Sequence, residues 1–301
     1  MASLAERGLN VVGVRYRGST PSAGDERSVD FYREAGVYGA LEEDATFIDP
    51  AFPEDQRTES PTENLGIIGG EIASAVSNGI SSGRGTVMVG GDCAHITGVL
   101  GGWQDALGPT VRIGLVWFDA HGDFNTSRTS LSGMLGGMPV AVAAGLDFPE
   151  WREASHIASP LPTDRILMVD VRNLDPAEDQ LVRATSIGIA ASASGFPGAD
   201  LKTSVEDLAS RCDYLYLHID SDILDASLVP NHGTQEPNGP DIAQVAEAID
   251  IVMATGKVVS LALVSVSGDG EGADVTRASA AEMLRAGIDS WKRHGIPNWD
   301  R

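Results

Sequence analysis

Short apolar runs rich in β-branched residues recur along the chain at Leu9–Val14, Thr86–Val89, Ile113–Phe118, Ile166–Val171, Tyr214–Ile219 and Val258–Val266. Continuous runs of this length read as strands buried on both faces. Helix-length segments separate several of them. The clearest is Asp241–Thr255, where Ile242, Val245, Ala246, Ile249, Val252 and Met253 fall at helical spacing. Strands alternating with helices predict an α/β fold with a parallel sheet covered on both faces. The stretch Arg15–Asn64 mixes Gly, Pro, Ser and charges with little periodicity and predicts long loops, and residues 189–199 predict a loop after a short strand. No linker or repeat interrupts the pattern, so residues 1–301 read as a single domain.

Composition narrows the class. The 301 residues are 42% hydrophobic, ample for a buried core. No run of 18 or more apolar residues occurs, and the opening MASLAERGLN lacks the basic-then-apolar layout of a signal peptide, so a cytoplasmic protein is expected. The two cysteines, Cys93 and Cys212, are too few for a disulfide framework or a four-cysteine zinc site. A net charge of −22 argues against a phosphate-tracking surface, so neither nucleic acid nor membrane is expected as a partner. Most of that acidity reads as solubility, but a few carboxylates stand where chemistry is expected.

In open α/β sheets ligands bind at the carboxyl ends of strands. Behind the run ending at Phe118 comes Asp119-Ala120-His121-Gly122-Asp123-Phe124-Asn125-Thr126. Three potential ligands at alternate positions project the same way if the chain stays extended, and carboxylate with imidazole suits Mn²⁺, Fe²⁺ or Zn²⁺. An Asp-rich turn capping a helix reads equally well. Behind Ile219 comes Asp220-Ser221-Asp222-Ile223-Leu224-Asp225. Two such clusters at one sheet edge would repel and raise each other's pKa, and a bound cation relieves that cost. The third place is Gly90-Gly91-Asp92-Cys93-Ala94-His95, where paired glycines allow a tight turn and Cys93, taken alone, reads as a small core filler.

Taken together, the three segments resemble the arginase and agmatinase (ureohydrolase) family, which carries Gly-Gly-Asp-His, Asp-Ala-His-x-Asp and Asp-x-Asp-x-x-Asp-Pro in this order. The resemblance spans about residues 66–267. It implies a three-layer α/β/α fold with a central, mostly parallel eight-stranded sheet. It also implies two divalent metal ions, manganese (Mn²⁺) first, sharing a hydroxide nucleophile. One ion would be held by Cys93, Asp119, Asp123 and Asp220, the other by His121, Asp119, Asp220 and Asp222. Asp123 would also relay a proton to the departing amine, and Asp92 would orient a ligand from behind. Asn125, Ser130, Ser132 and Asp175 match positions that bind an amino-acid substrate in arginases, although each reads equally as a solvated turn residue. A homo-oligomer, trimer or hexamer, is implied by the resemblance alone.

Three departures shape the functional expectation. Cys93 stands where the family has its first ligating His; a thiolate is softer, which admits Zn²⁺, Fe²⁺ or Co²⁺, and His95 is the rival ligand. Gly136, in Leu135-Gly136-Gly137-Met138-Pro139, replaces a His that assists proton transfer in arginases. These features resemble a minority bacterial branch that includes hydrolases of N-hydroxylated arginine in antibiotic biosynthesis. Finally, Ser265 occupies the place of a guanidinium-pairing Glu, leaving Glu236 or Glu271 to reach in from a loop. The expectation is a metal-dependent amidinohydrolase acting on a C–N bond of a guanidino or amidino small molecule, with weak or no activity on arginine. The alternatives are a formimino or amide hydrolase on the same fold, or a silent metal-binding subunit.

Overall fold

The computed structural model describes residues 2–22 and 28–299. The strands among them are β1 (Leu9–Val14), β2 (Tyr16–Arg17), β3 (Thr20–Pro21), β4 (Thr46–Ile48), β5 (Gly85–Gly90), β6 (Ile113–Phe118), β7 (Ile166–Val169), β8 (Gly188–Ala190), β9 (Tyr214–Asp220) and β10 (Val258–Val264). Eight form one sheet in the order β4-β1-β5-β10-β9-β6-β7-β8, with every neighbouring pair parallel. The remaining two, β2 and β3, make a small antiparallel ribbon. Helices flank the sheet on both sides, which is why β1, β5, β6, β7 and β10 are buried at every position.

The six predicted strands are present, two of them shorter than their apolar runs. β7 stops at Val169 because Asp170 takes φ 67°, and β10 stops at Val264 because Ser265 takes φ 63°. A left-handed residue turns the chain out of the ladder, and hydrophobicity does not register that. The predicted helix forms over Ile242–Met253. Asp241 caps it by accepting from Gln244 N while Gln244 Oε1 accepts from Asp241 N. The expectation of loops across Arg15–Asn64 needs correction: the stretch holds the ribbon, the edge strand β4 and the start of the helix Pro61–Ser81, while residues 23–27 lie outside the described residues. β4 escaped notice because an edge strand is only partly buried and lacks a continuous apolar signature.

Chain order places the site. From β1 the chain steps outward to β4, returns past β1 to β5, then crosses to β6, from which β7 and β8 run to the opposite edge. β9 and β10 close the gap between β5 and β6. The crevice where strand order reverses therefore lies at the carboxyl ends of β5, β10, β9 and β6.

One helix contact fixes the first wall of that crevice. The helix Pro61–Ser81 packs closely on the helix Ile96–Leu107. The approach needs glycine: a Cβ at Gly98 would stand 2.7 Å from Gly69 O, and one at Gly102 2.6 Å from Ala73 O. Because the second helix starts directly after Cys93–His95, its docking holds that turn over the sheet.

Candidate metal centre

β5 ends in two left-handed glycines, Gly90 at φ 79° and Gly91 at φ 67°. At Gly91 a Cβ would sit 2.5 Å from His95 Nδ1, so only glycine lets the chain fold back here. Asp92 then caps the turn: its Oδ1 accepts from Ala94 N at 3.1 Å and its Oδ2 from Gly18 N at 2.7 Å. Asp92 acts through the backbone and touches no candidate ligand side chain except His95. The imidazole of His95 is fastened at both ends, Nδ1 accepting from Asp92 N at 3.0 Å and Nε2 lying 2.9 Å from Gly18 O. Cys93 points the other way, its buried Sγ 2.9 Å from Asp220 Oδ2 and 3.7 Å from Asp119 Oδ2. The turn thus delivers the sulfur to the carboxylates and withholds the imidazole of His95.

Register brings the two Asp segments together. Phe118 of β6 pairs with Ile219 of β9, so Asp119 and Asp220 emerge side by side. Backbone amides hold them in place: His121 N donates to Asp119 Oδ1 at 2.6 Å, and Asp222 N donates to Asp220 Oδ1 at 3.0 Å. His121 Nδ1 then faces Asp222 Oδ2 at 3.2 Å and Asp119 Oδ1 at 3.4 Å. Three sets of potential ligand atoms result, each within 4.8 Å of one another: Cys93, Asp119 and Asp220; Asp119, His121 and Asp222; and Asp220, Asp222 and His232. Asp123 belongs to none of them. It takes φ 45° and is 8% exposed, and its carboxylate has no hydrogen-bond or ion-pair partner among the described residues. The fourfold set implied for the first ion is therefore assembled here only as to Cys93, Asp119 and Asp220.

The electrostatics call for a cation. Asp119, Asp123, Asp220 and Asp222 are all buried, and their ion-pair partners among the described residues are His121 and His232 alone. Burial, then the charges of Asp222 and Asp123, push the Asp119 carboxyl well above its ordinary value. Asp123 is raised as well, by burial and by Asp220 and Glu178 against the opposing pull of His121. Burial and the three neighbouring carboxylates raise the Cys93 thiol. Asp220 goes the other way: against burial, the charge of His232 and its contact keep it ionised. Burial lowers His121, yet hydrogen bonds to Asp119 and Asp222 win and lift it to about 12. Acids forced neutral beside a histidine forced positive mark a site short of positive charge, and S, N and O donors in one buried cluster suit a divalent transition ion. The residues present fit such ions.

Two substitutions separate the sulfur from its neighbour. Cys93→Ala is expected to lower the metal bound per chain, read by elemental analysis after dialysis. His95→Ala should leave metal content unchanged while costing about 1–3 kcal/mol of stability, since it orphans the Gly18 and Asp92 backbone groups. The reverse pattern would make His95 the ligand.

Sequence reasoning assigned no role to several residues that build this site. The His232 side chain is 7% exposed, with Nε2 3.2 Å from Asp220 Oδ1 and Nδ1 3.6 Å from Asp222 Oδ2. It lies in an aperiodic loop, and its nearness to the second Asp cluster was the only signal available. Arg172 donates to the carbonyls of Asp222, Leu224 and Glu236 at 3.0–3.1 Å, clipping the β9 turn to the loop that follows it. His218, on the same face of β9 as Asp220, stacks on Trp117 at 4.2 Å and accepts or donates with Tyr216 Oη at 2.7 Å. Burial holds it down to about 3, hence neutral.

The expected substrate residues form a neighbouring group. Asn125 Nδ2 donates to Asp175 Oδ2 at 3.2 Å, and Leu131 N donates to the same oxygen at 3.3 Å. Ser130 and Ser132 face each other at 3.5 Å on the more exposed part of that loop. Asp175 also caps the helix Pro176–Arg183, so it carries a structural task in addition. Ser265 spends its hydroxyl on Asp220 Oδ2 at 2.5 Å. Of the two loop acids, Glu236 reaches the site, its Oε1 3.5 Å from His121 Nε2, while Glu271 is exposed.

The family model described as "Arginase family" matches residues 9–288. The chain belongs to the arginase family. Membership makes it a hydrolase of a metal-dependent family acting on C–N bonds. An arginase from Bacillus caldovelox is 28% identical over 201 residues, a match covering 65% of this chain and 66% of that one, just under two thirds of its length. The solved Entamoeba histolytica arginase in complex with L-ornithine superposes with a TM-score of 0.80 at 21% identity, over 94% of this chain and 98% of the other. The formimidoylglutamase of Bacillus subtilis subsp. subtilis str. 168 superposes at 0.72 with 15% identity, over 95% and 87%. At those identities the likeness is of fold, and the arginase-family fold accommodates more than one substrate. Among the described residues of this member, no helix is long and apolar enough to cross a membrane.

Proposed function

We propose that this arginase-family member is a binuclear-metal hydrolase that cleaves a C–N bond in a modified guanidino or amidino small molecule, of which an N-hydroxylated arginine is one, in preference to arginine itself. The observation that carries the reading is the joint placement of Cys93, Asp119, His121, Asp220 and Asp222 at adjacent strand ends, with Ser265 in the same crevice where a carboxylate clamp is lacking. Cys93, Asp119 and Asp220 would hold one divalent ion; Asp119, His121, Asp220 and Asp222 would hold the other. Mn²⁺ is one candidate, and the sulfur of Cys93 favours Zn²⁺, Fe²⁺ or Co²⁺. When bound, such a pair supplies the acidity that makes water a nucleophile near neutral pH and the charge that stabilises a tetrahedral carbon.

The chain's own groups do the rest. Asp119 and Asp220 are aligned by backbone amides, so their carboxylates are fixed in place before any substrate arrives. Asp123, buried and without a competing partner, carries a proton on its carboxylate to the departing nitrogen. The Gly136–Gly137 segment beside it leaves room: a Cβ at Gly136 would meet nothing nearer than 3.9 Å. An N-hydroxyl on the guanidino group is accommodated there; it stays on the carbon in the hydroxyurea product, and the alkyl-bearing nitrogen, which leaves as the amine, takes its proton from Asp123 where no helper imidazole stands. Asn125, Asp175 and the Ser130–Ser132 loop would receive the polar end of the substrate.

The test is release of urea, hydroxyurea or ammonia from guanidino, N-hydroxyguanidino and formimino compounds, with the chain loaded in turn with Mn²⁺, Zn²⁺, Co²⁺ or Fe²⁺. Turnover of an N-hydroxyguanidino compound, lost in Asp123→Asn and far above that of L-arginine, is the expected result. Turnover of formimino compounds alone would transfer the protein to that substrate class. Efficient L-arginine hydrolysis would remove the significance given to Ser265, and two bound ions without turnover on any compound would leave a metal-binding subunit.

A further inference from the structure

Beyond β9, three residues spaced two apart each address a different candidate ligand. His232 Nε2 faces Asp220 Oδ1 at 3.2 Å and is its donor, while Nδ1 is shut in against Thr234, with Thr234 N at 3.2 Å and Thr234 Oγ1 at 3.3 Å. Thr234 Oγ1 donates to Asp222 Oδ2 at 3.0 Å. Glu236 Oε1 faces His121 Nε2 at 3.5 Å, the ring nitrogen that points away from Asp119 and Asp222, and Asn173 Nδ2 donates to the same Glu236 oxygen at 2.5 Å.

Both ends of the segment are tied down. Asn231 Nδ2 donates to Ser267 O and Asp269 O, each at 2.9 Å, and Arg172 donates to Glu236 O at 3.1 Å. A loop anchored to this degree holds its side chains in one arrangement before any ion binds. A carboxylate behind a ligating imidazole and a donor behind a ligating carboxylate are the arrangements that orient metal ligands in proteins generally.

We propose that His232–Glu236 is a positioning strap for the ion held by His121 and Asp222, with His232 orienting Asp220, Thr234 orienting Asp222 and Glu236 orienting His121. The inference rests on the binuclear reading above. His232 is in this assignment a hydrogen-bond donor to a ligand and not itself a ligand, because its Nε2 is spent on Asp220 and its Nδ1 is closed off by Thr234.

The full-length chain, stripped of metal and titrated with Co²⁺, tests this by calorimetry and by the visible absorption of the bound ion. Wild type should take up two equivalents. Glu236→Ala, which acts on His121 alone, should weaken one of the two by about 10–100-fold and alter its absorption, leaving the other unchanged, whereas His232→Leu, which acts on the shared ligand Asp220, should weaken both by about 10–100-fold. His232→Gln, which keeps a donor at similar reach, should stay within a few-fold of wild type. Unchanged affinity and spectrum in both His232→Leu and Glu236→Ala would overturn the strap, and His232→Gln behaving like His232→Leu would overturn the donor assignment. Should His232→Leu fail to fold, Glu236→Ala and Thr234→Val carry the same test from loop positions nearer solvent. A wild-type chain that binds fewer than two equivalents overturns the binuclear reading itself.

Discussion

Asp220→Asn is expected to reduce kcat/KM by about a thousandfold or more, roughly 4 kcal/mol of transition-state stabilisation, and to leave fewer than two metal ions per chain. Asp220 is the hub of the site. Its Oδ2 meets Cys93 Sγ at 2.9 Å and Ser265 Oγ at 2.5 Å, and its Oδ1 meets Asp222 N at 3.0 Å and His232 Nε2 at 3.2 Å. It is the one residue shared by the sulfur-containing and the His232-containing ligand sets. An amide of the same shape keeps the packing but loses the negative charge that a ligand shared by two cations would supply. Asp225→Asn is the matched control. Asp225 lies five residues on in the same motif but caps the turn Ala226–Leu228 instead of entering the cluster, so metal content and turnover should persist with a stability cost near 1 kcal/mol or less. Elemental analysis and steady-state kinetics on the two variants decide the matter; an Asp220→Asn chain that retains both ions and its rate would displace Asp220 from the centre.

The second large effect is linkage between pH and metal. In the metal-free chain the Asp119 and Asp123 carboxyls are raised, so the folded state binds more protons than the unfolded state once pH exceeds the ordinary carboxylate range near about 4. Their effect on stability is therefore unfavourable as pH rises from there through their elevated values. His121 has the same sign: held up to about 12, it contributes stability fully present below the usual imidazole range and lost as pH rises toward that value. Asp220 has the opposite sign, its contribution being lost as pH falls below the ordinary carboxylate range. Metal-free protein should thus lose thermal stability between pH 6 and about 9. Divalent ions need deprotonated ligands, so the gain in Tm on adding Mn²⁺ or Co²⁺ should grow over the same interval. With one proton released per ion, affinity rises about tenfold per pH unit, and an ion at 100 times its Kd contributes about 2.7 kcal/mol. Scanning calorimetry with and without the ion reads both curves. A gain in Tm that is flat or falls with pH would mean that these acids and His121 are not the groups the ion displaces protons from.

Much of the architecture was legible from the pattern of apolar positions, for a physical reason. Strands covered on both faces must be apolar throughout, so β1, β5, β6, β7, β9 and β10 announce themselves, and the capped helix Ile242–Met253 does so by its spacing. The edge strand β4, with its half-exposed positions, and the left-handed ends of β7 and β10 leave no such trace. The chemistry was legible to a similar depth. Carboxylates, imidazole and thiol directly behind buried strands identify Cys93, Asp119, His121, Asp220 and Asp222 as candidates, because strand ends are where an α/β sheet exposes side chains to a shared crevice.

What the sequence could not decide was which of those groups meet, and what stands behind them. Which of Cys93 and His95 faces the carboxylates follows from the turn at Gly91, which lets the ring of His95 fold onto the backbone of Asp92 and Gly18. The separation of Asp123 from the three ligand sets follows from its left-handed backbone. His232 and Glu236 sit in a loop whose course is set by Asn231, tied to Ser267, and by Arg172, tied to Glu236. By itself the sequence determined the six buried strands, the helix Ile242–Met253 and the types of candidate ligand, since burial and strand-end position act locally along the chain. Tertiary structure alone decided the pairing of those ligands, because each pairing depends on hydrogen bonds between segments far apart in sequence, and no local pattern records them.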